Sequence, residues 1–377
     1  MSSADVVVIG AGVVGAACAW YATRAGLRVT VVDRGPVAGG TTGAGEGNLL
    51  VSDKPNGPEL DLALHSLALW RDLATEVGGF EYEPKGGLVV SESDSGMAAL
   101  DRVSAGQRSA GTDAVRLTAA DLATYEPYLA RDLTGGCFYP QDAQVNPMLA
   151  AAQLLAAART RGASVRTGVT VLGMLRAGDR VVGVRTTAGE LSSDAVVNAG
   201  GTWGGEIAAL AGVSVPVSPR RGFILVTEPL RQVVRHKVYA SAYVDAVASD
   251  DAGLHTSPVI EGTAAGPVLI GSSRERVGYD RTVSVPVLRR LAADAVRLFP
   301  VLAEAQAIRA YWGFRPYCPD HLPAIGPDPR APGLVHACGH EGAGVGLSAG
   351  TGDVVAATLT GCDPAVDMSP FRPERFG

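Results

Sequence analysis

At 377 residues, with 47% hydrophobic and 19% charged residues, the chain is too apolar to stay disordered and longer than a single core usually grows. This predicts a compact α/β protein of two domains, discontinuous in sequence. A formal net charge of -6 with no basic run gives no electrostatic footprint for nucleic acid. Cys18, Cys137, Cys318, Cys338 and Cys362 form no C-x-x-C pair, so neither a disulfide framework nor a metal site is expected, and reduced thiols in the cytoplasm fit best.

The apolar N-terminal stretch VVVIGAGVVGAACAW lacks a basic leader and is too short to span a membrane, so a soluble, unprocessed protein is expected. Asp5 to Ile9 reads as a strand buried on both faces. Gly10-Ala-Gly12-Val13-Val14-Gly15 follows, then a small-residue helix that stops at Gly26, then the strand LRVTVVD ending on Asp33. Strand, G-x-G-x-x-G, helix, strand and acid in one βαβ unit predict dinucleotide binding. Gly10 permits the tight turn, Gly12 lets a pyrophosphate approach the backbone, and Gly15 lets helix and strand pack closely. The helix N-terminus favours the phosphates, and Asp33 is placed for a ribose hydroxyl.

The fingerprint alone does not separate FAD from NAD. Its continuation, GPVAGGTTGAGEGNLL, does more: an extended small-residue segment suits a cofactor with a flat ring, where an NAD domain would continue with regular βα units.

Farther along, helices are expected over 61–76, 96–110 and 118–125, with short strands at 80–90 and 135–141. An alanine-rich helix in QVNPMLAAAQLLAAARTRGA closes at Gly162. ASVRTGVTVLGML, VVGVRTT and ELSSDAVVN read as a β-meander, and DAVVNAGGTW returns to the parallel sheet at a second glycine-bearing junction. RGFILVTE, HKVYASAYV, GLHTSPVI and PVLIGSSRE then form an antiparallel sheet, followed by the amphipathic helix VPVLRRLAADAVRLFP. The chain closes with a strand at Gly333 to Cys338, a glycine loop, and a helix ending near Gly361. The expected division is 1–79, 142–215 and 310–377 for a Rossmann-like cofactor domain, and 80–141 and 216–309 for an antiparallel-sheet α+β substrate domain.

GAGVVG with Asp33, TTGAGEGNLL, ASVRTGVTV, VVNAGGTW, WGFRP and GHEGAGVGLSAGTG stand in the order seen in FAD-dependent D-amino-acid and amine oxidoreductases, which the whole chain resembles. It is most similar to the glycine oxidase and sarcosine oxidase side, including the flavoprotein subunits of D-hydroxyproline dehydrogenase, opine oxidase and hydrogen cyanide synthase. The resemblance implies that Gly10, Gly12, Val13, Val14 and Gly15 hold the pyrophosphate of FAD, and Asp33 and Arg34 its AMP half. Thr41, Thr42, Gly47, Asn48 and Leu49 would run along the ribityl chain and flavin. Val169 would meet adenine, with Ala199, Gly200 and Trp203 lining the dinucleotide. His340 to Leu347, including Gly342, Gly344, Val345, Gly346 and Leu347, would reach the pyrimidine edge of the ring. Gly313 stands where covalent sarcosine oxidases carry their flavin-linked cysteine, which implies noncovalent FAD.

Arg315 matches the arginine that clamps the substrate carboxylate in amino-acid-oxidising relatives, a task that suits a guanidinium fork. Tyr243 is either a substrate hydroxyl contact or a core tyrosine. His340 and Glu341 either act as a base or shape their loop. Phe223 stands after Arg220-Arg221-Gly222 where glutamine is common, so substrate-pocket residues transfer less directly. The expected activity is oxidation of the C–N bond of an amino acid or secondary amino acid, of D-amino acid, glycine, sarcosine or hydroxyproline type, by hydride transfer to flavin N5 to give an imine. One alternative makes the chain the catalytic flavoprotein subunit of a heteromeric amino-acid or opine dehydrogenase, whose partner subunits carry iron-sulfur or a second flavin. A colourless nucleotide-binding scaffold and an NAD-dependent dehydrogenase are the others.

Overall fold

A computed structural model describes residues 4–243 and 251–377. Its first sheet is the expected parallel one. β1 (Ala4–Ile9) lies between β2 (Val29–Asp33) and β11 (Gly189–Asn198). β8 (Ser164–Thr167) extends the sheet beyond β2, and β18 (Leu334–Cys338) and antiparallel β17 (Ala324–Pro327) extend it beyond β11. Val6, Val7 and Val8 are fully or almost fully buried, as a central strand covered on both faces requires.

The segment read as the first strand of a meander divides in two. β8 belongs to the parallel sheet, and only β9 (Val171–Ala177), β10 (Arg180–Thr186) and the first half of β11 form the antiparallel meander. Gly168, at φ 70°, breaks the strand between them.

The second sheet runs β16 (Ala307–Tyr317), β12 (Ser218–Thr227), β15 (Val268–Arg274), β14 (His255–Gly262), β13 (Lys237–Ala240), β4 (Gly87–Ser91), β6 (Gly135–Tyr139) and β5 (Val115–Thr118). It is antiparallel except where β13 runs parallel to β4, joining the two sequence regions assigned to the substrate domain. The boundary drawn at 309/310 falls inside β16, which belongs to this sheet along its whole length because it pairs with β12 from Ser218 to Thr227. Val244, at the end of HKVYASAYV, lies outside the described residues.

The helices expected over 61–76, 96–110 and 118–125 are found at Pro58–Glu76, Asp94–Ser109 and Ala119–Tyr125. The first starts earlier because Pro58 fits an opening turn, where its missing N–H costs nothing. Thr118 and Asp121 cap the third reciprocally. Of 80–90, only Gly87–Ser91 is a strand; upstream, Glu83 makes a single bridge to Gln144.

The final helix, Gly344–Thr360, begins inside what the sequence suggested was a glycine loop, and Gly361 ends it at φ 72°. Its glycines allow close helix packing. A Cβ at Gly352 would lie 2.7 Å from the Ala17 carbonyl carbon of the first helix (Val13–Arg24), and one at Gly350 would lie 3.0 Å from Leu62 of the helix Pro58–Glu76. Little packing material is needed because two neighbouring helices occupy the space.

Candidate active site

Between the C-terminal ends of the parallel strands and the second sheet lies a cavity of about 470 Å³. Gly10, Gly12, Val13, Val14, Asp33, Arg34, Thr41, Thr42, Asn48, Val169, Ala199, Gly200 and Trp203 line it together with Gly313, Gly342, Gly344 and Val345. Arg315, Tyr243 and His340 line the same space. One cavity thus unites candidates from distant stretches of sequence.

Five candidates stand behind its wall. A Cβ at Gly15 would lie 2.0 Å from the Gly10 carbonyl oxygen, and one at Gly47 would lie 1.6 Å from that of Val145, so both glycines serve backbone packing. Gly346 backs onto β3 (Asn48–Leu49), with 3.2 Å from its Cβ position to the Asn48 carbonyl oxygen. Leu49 and Leu347 are buried in the core. The small side of Gly346 therefore faces protein, not the cavity.

The small-residue segment after Asp33 is pinned near its middle. Thr42 Oγ1 accepts from Val13 N at 3.0 Å, and Thr41 Oγ1 donates to Phe314 O at 2.7 Å. Thr202 Oγ1 donates to the same carbonyl at 2.9 Å. Gly313 lets β16 approach the segment: a Cβ there would lie 2.6 Å from that of Ala44. Asp33 accepts from Ala11 N and Gly35 N, each at 2.7 Å, which fixes the carboxylate at the fingerprint turn. At the same end Arg34 stacks on Trp203, 4.3 Å from its ring centre, and Tyr279 stacks on Trp203 at 5.7 Å. Tyr279 carried no sequence signal, because its stacking partner is 76 positions away.

On β16, Arg315 is partly open to the cavity, and its Nη1 donates to Ser273 O at 2.8 Å. A Cβ at Gly222 would stand 2.3 Å from that nitrogen, so glycine there makes room for the guanidinium. Burial and then the Arg274 charge hold Arg315 below the ordinary guanidinium range, against the pull of Tyr243 and Glu46. A second cation so close favours an anion at this place. Tyr243 is buried, edge-on to Tyr239 at 5.1 Å and 4.9 Å under the Arg274 guanidinium, so it is a packed tyrosine that also lines the cavity.

His340 is 4% exposed, and its Nε2 lies 3.1 Å from Thr351 Oγ1. Burial pushes its pKa down to about 3, so the ring is neutral in the folded protein at ordinary pH. The unfolded chain takes up a proton that the folded chain refuses. The stability associated with neutral His340 is therefore present above pH 6.5 and is lost as pH falls from there toward 3. His340→Gln keeps a partner for Thr351 and removes the titration. The fall in Tm between about pH 7 and pH 5 should be smaller in this variant than in the wild type; an equal fall would place the acid sensitivity elsewhere. Glu341, at φ 45°, lies 3.8 Å from Arg220 and 3.3 Å from His321, which ties the loop to the second sheet.

Glu46, Ile224, Phe314 and Glu206 also line the cavity. Among the described residues no group of three or more His, Cys, Asp or Glu side chains could hold a metal ion, and no cysteine lines the cavity. No helix among them is long and apolar enough to cross a membrane.

The family described as FAD dependent oxidoreductase matches residues 5–358. The hydrogen cyanide synthase subunit HcnC of Pseudomonas aeruginosa is 30% identical over 99% of this chain and 96% of that relative. The glycine oxidase of Pseudomonas putida is 30% identical, covering 99% of both chains. The crystal structure of glycine oxidase from Geobacillus kaustophilus superposes with a TM-score of 0.89 at 28% identity, covering 99% of both chains. The chain belongs to the FAD-dependent oxidoreductases of this family, and FAD is its cofactor.

Proposed function

We propose that this enzyme oxidises the C–N bond of a small amino acid or secondary amino acid, with Arg315 holding the substrate carboxylate. The observation that carries the reading is Arg315 itself: a half-buried guanidinium, anchored by one nitrogen to a backbone oxygen and open to the cavity that begins at the dinucleotide fingerprint. The glycine oxidase relatives act on a substrate of this chemical class.

The cavity fits an extended dinucleotide. Gly10 and Gly12 leave bare backbone at the start of the first helix for a pyrophosphate, and Asp33, Arg34, Val169 and Trp203 surround the end expected to take the AMP half. Thr41, Thr42 and Asn48 would flank the ribityl chain and ring, while Gly342, Gly344 and Val345 open the final helix toward the pyrimidine edge, where N–H groups favour developing negative charge. In this reading the parallel-sheet regions hold the cofactor, and 80–141 with 216–309 and β16 form the substrate wall.

Bound FAD supplies the acceptor for a hydride from the α-carbon. The protein fixes the carboxylate, excludes water with Ile224, Phe314 and Tyr243, and presents one C–H in a constant orientation. Buried neutral His340 shapes the loop instead of acting as a base. The imine is released for hydrolysis or persists as a cyclic product.

A second reading makes the chain one subunit of a heteromeric dehydrogenase, supported by its similarity to a hydrogen cyanide synthase subunit. The five free cysteines suit a reducing compartment, and we place the enzyme in the cytoplasm. Turnover of glycine, sarcosine, proline, hydroxyprolines, opines and D- and L-amino acids, assayed in parallel for peroxide and for reduction of an artificial dye, tests both readings. Fast peroxide release identifies an oxidase; dye reduction without peroxide identifies a dehydrogenase that passes electrons to partners. No turnover by either assay contradicts both.

A further inference from the structure

Glu46 sits in the small-residue segment of the cofactor cavity, yet it is turned against the second sheet. Its side chain is 8% exposed, and a Cβ on Gly271 of β15 would lie 2.6 Å from Oε1. Oε2 accepts from Lys237 Nζ and from Asn48 Nδ2, each at 3.1 Å. Oε1 has no hydrogen-bond partner among the described residues. Lys237 in turn donates to Glu261 Oε2 at 2.8 Å. Burial alone would lower its pKa, but Glu261 and Glu46 outweigh this and keep the ammonium charged. Two carboxylates thus share one ammonium ion. The second carboxylate oxygen of Glu46 is left without a partner and buried against Gly271, in a residue that lines the cavity, an arrangement that is costly unless a cation arrives.

The position of that oxygen relative to Arg315 is informative. Arg315 is anchored to Ser273 O and Glu46 stands over Gly271, two residues back along β15. Arg315 and Glu46 line the same cavity, and the Glu46 charge acts on Arg315. An anion held at Arg315 and a cation held at Glu46 would therefore share one cavity beside the same strand, as the two ends of a zwitterion. Charge follows the same order, with Arg315 and Arg274 at one end and the carboxylates of Glu46 and Glu261, which share Lys237, at the other.

We propose that Glu46 Oε1 is the acceptor for the substrate's N–H, so that Glu46 makes the site specific for α-amino acids over the 2-hydroxy acids of the same side chain. The proposal rests on the amino-acid reading above. A primary or secondary ammonium group can give one N–H to Oε1 and compensate its charge. The hydroxyl of a hydroxy acid can donate there too, but it brings no positive charge.

The test compares wild type with Glu46→Gln, which keeps the size and the Asn48 contact and removes the charge. The ligands are the best amino acid from the substrate panel and its 2-hydroxy analogue, whose binding is read by perturbation of the flavin spectrum. In wild type the hydroxy acid should bind at least about tenfold more weakly than the amino acid. In Glu46→Gln, KM for the amino acid should rise about tenfold or more while binding of the hydroxy acid changes less than about twofold. Equal losses for both ligands, or no change in KM, would overturn the proposal. If Glu46→Gln fails to retain flavin, the wild-type comparison decides, since equal binding of the two ligands overturns the proposal. Failure of the amino-acid reading itself looks different: no amino acid reduces the wild-type flavin.

Discussion

Replacing Arg315 by methionine should lower kcat/KM for the amino acid by about two to three powers of ten while flavin stays bound, and Arg315→Lys should recover only part of the loss. The size of the effect follows from the way the side chain is held. One nitrogen is committed to Ser273 O, Gly222 leaves the space beside it open, and the side chain lines the cavity. Lysine restores the charge but not the two-point grip that orients the α-carbon. Steady-state kinetics with the flavin-to-protein absorbance ratio check this. Unchanged kcat/KM in both variants would move the carboxylate site away from β16.

Gly12→Val should abolish FAD binding and leave the fold in place. Gly12 precedes the first helix at φ -76° and ψ 178°, a conformation open to valine, and an added Cβ would lie 3.0 Å from Thr42 Oγ1. The remainder of the side chain enters space where the pyrophosphate is expected. Flavin content should fall by at least about tenfold, and Tm should match that of wild-type protein stripped of flavin, because bound ligand raises stability by mass action. Gly15→Val should instead fail to fold, since its Cβ would lie 2.0 Å from the Gly10 carbonyl oxygen. Full flavin occupancy in Gly12→Val would refute the placement of the pyrophosphate.

What the sequence made legible is local. The turn from β1 through Gly10, Gly12 and Gly15 to Asp33 is written within one βαβ unit, and the glycines needed there fall within one short stretch of the chain. Arg315 was legible through its WGFRP motif, but its support was not: Ser273 and Gly222 approach it across strands that are distant in sequence. Glu46 shows the same limit more sharply. Its partner Lys237 is 191 positions away, so a single sequence carries no sign that the carboxylate is half neutralised and half bare. The glycine-rich tail was partly misread for a related reason. Gly344 opens onto the cavity, whereas Gly346, Gly350 and Gly352 are small because β3 and two helices press against them, and helix contacts leave no periodic mark in a run of small residues.

The central claim is that an amino acid gives its α-hydride to the flavin of this chain, and anaerobic mixing of the purified yellow protein with the amino-acid panel tests it most directly. The account predicts loss of the flavin's visible absorbance with at least one amino acid, accompanied by the corresponding imine or 2-oxo product in an amount equal to the flavin reduced. A flavin that dithionite bleaches but no member of the panel does would contradict it.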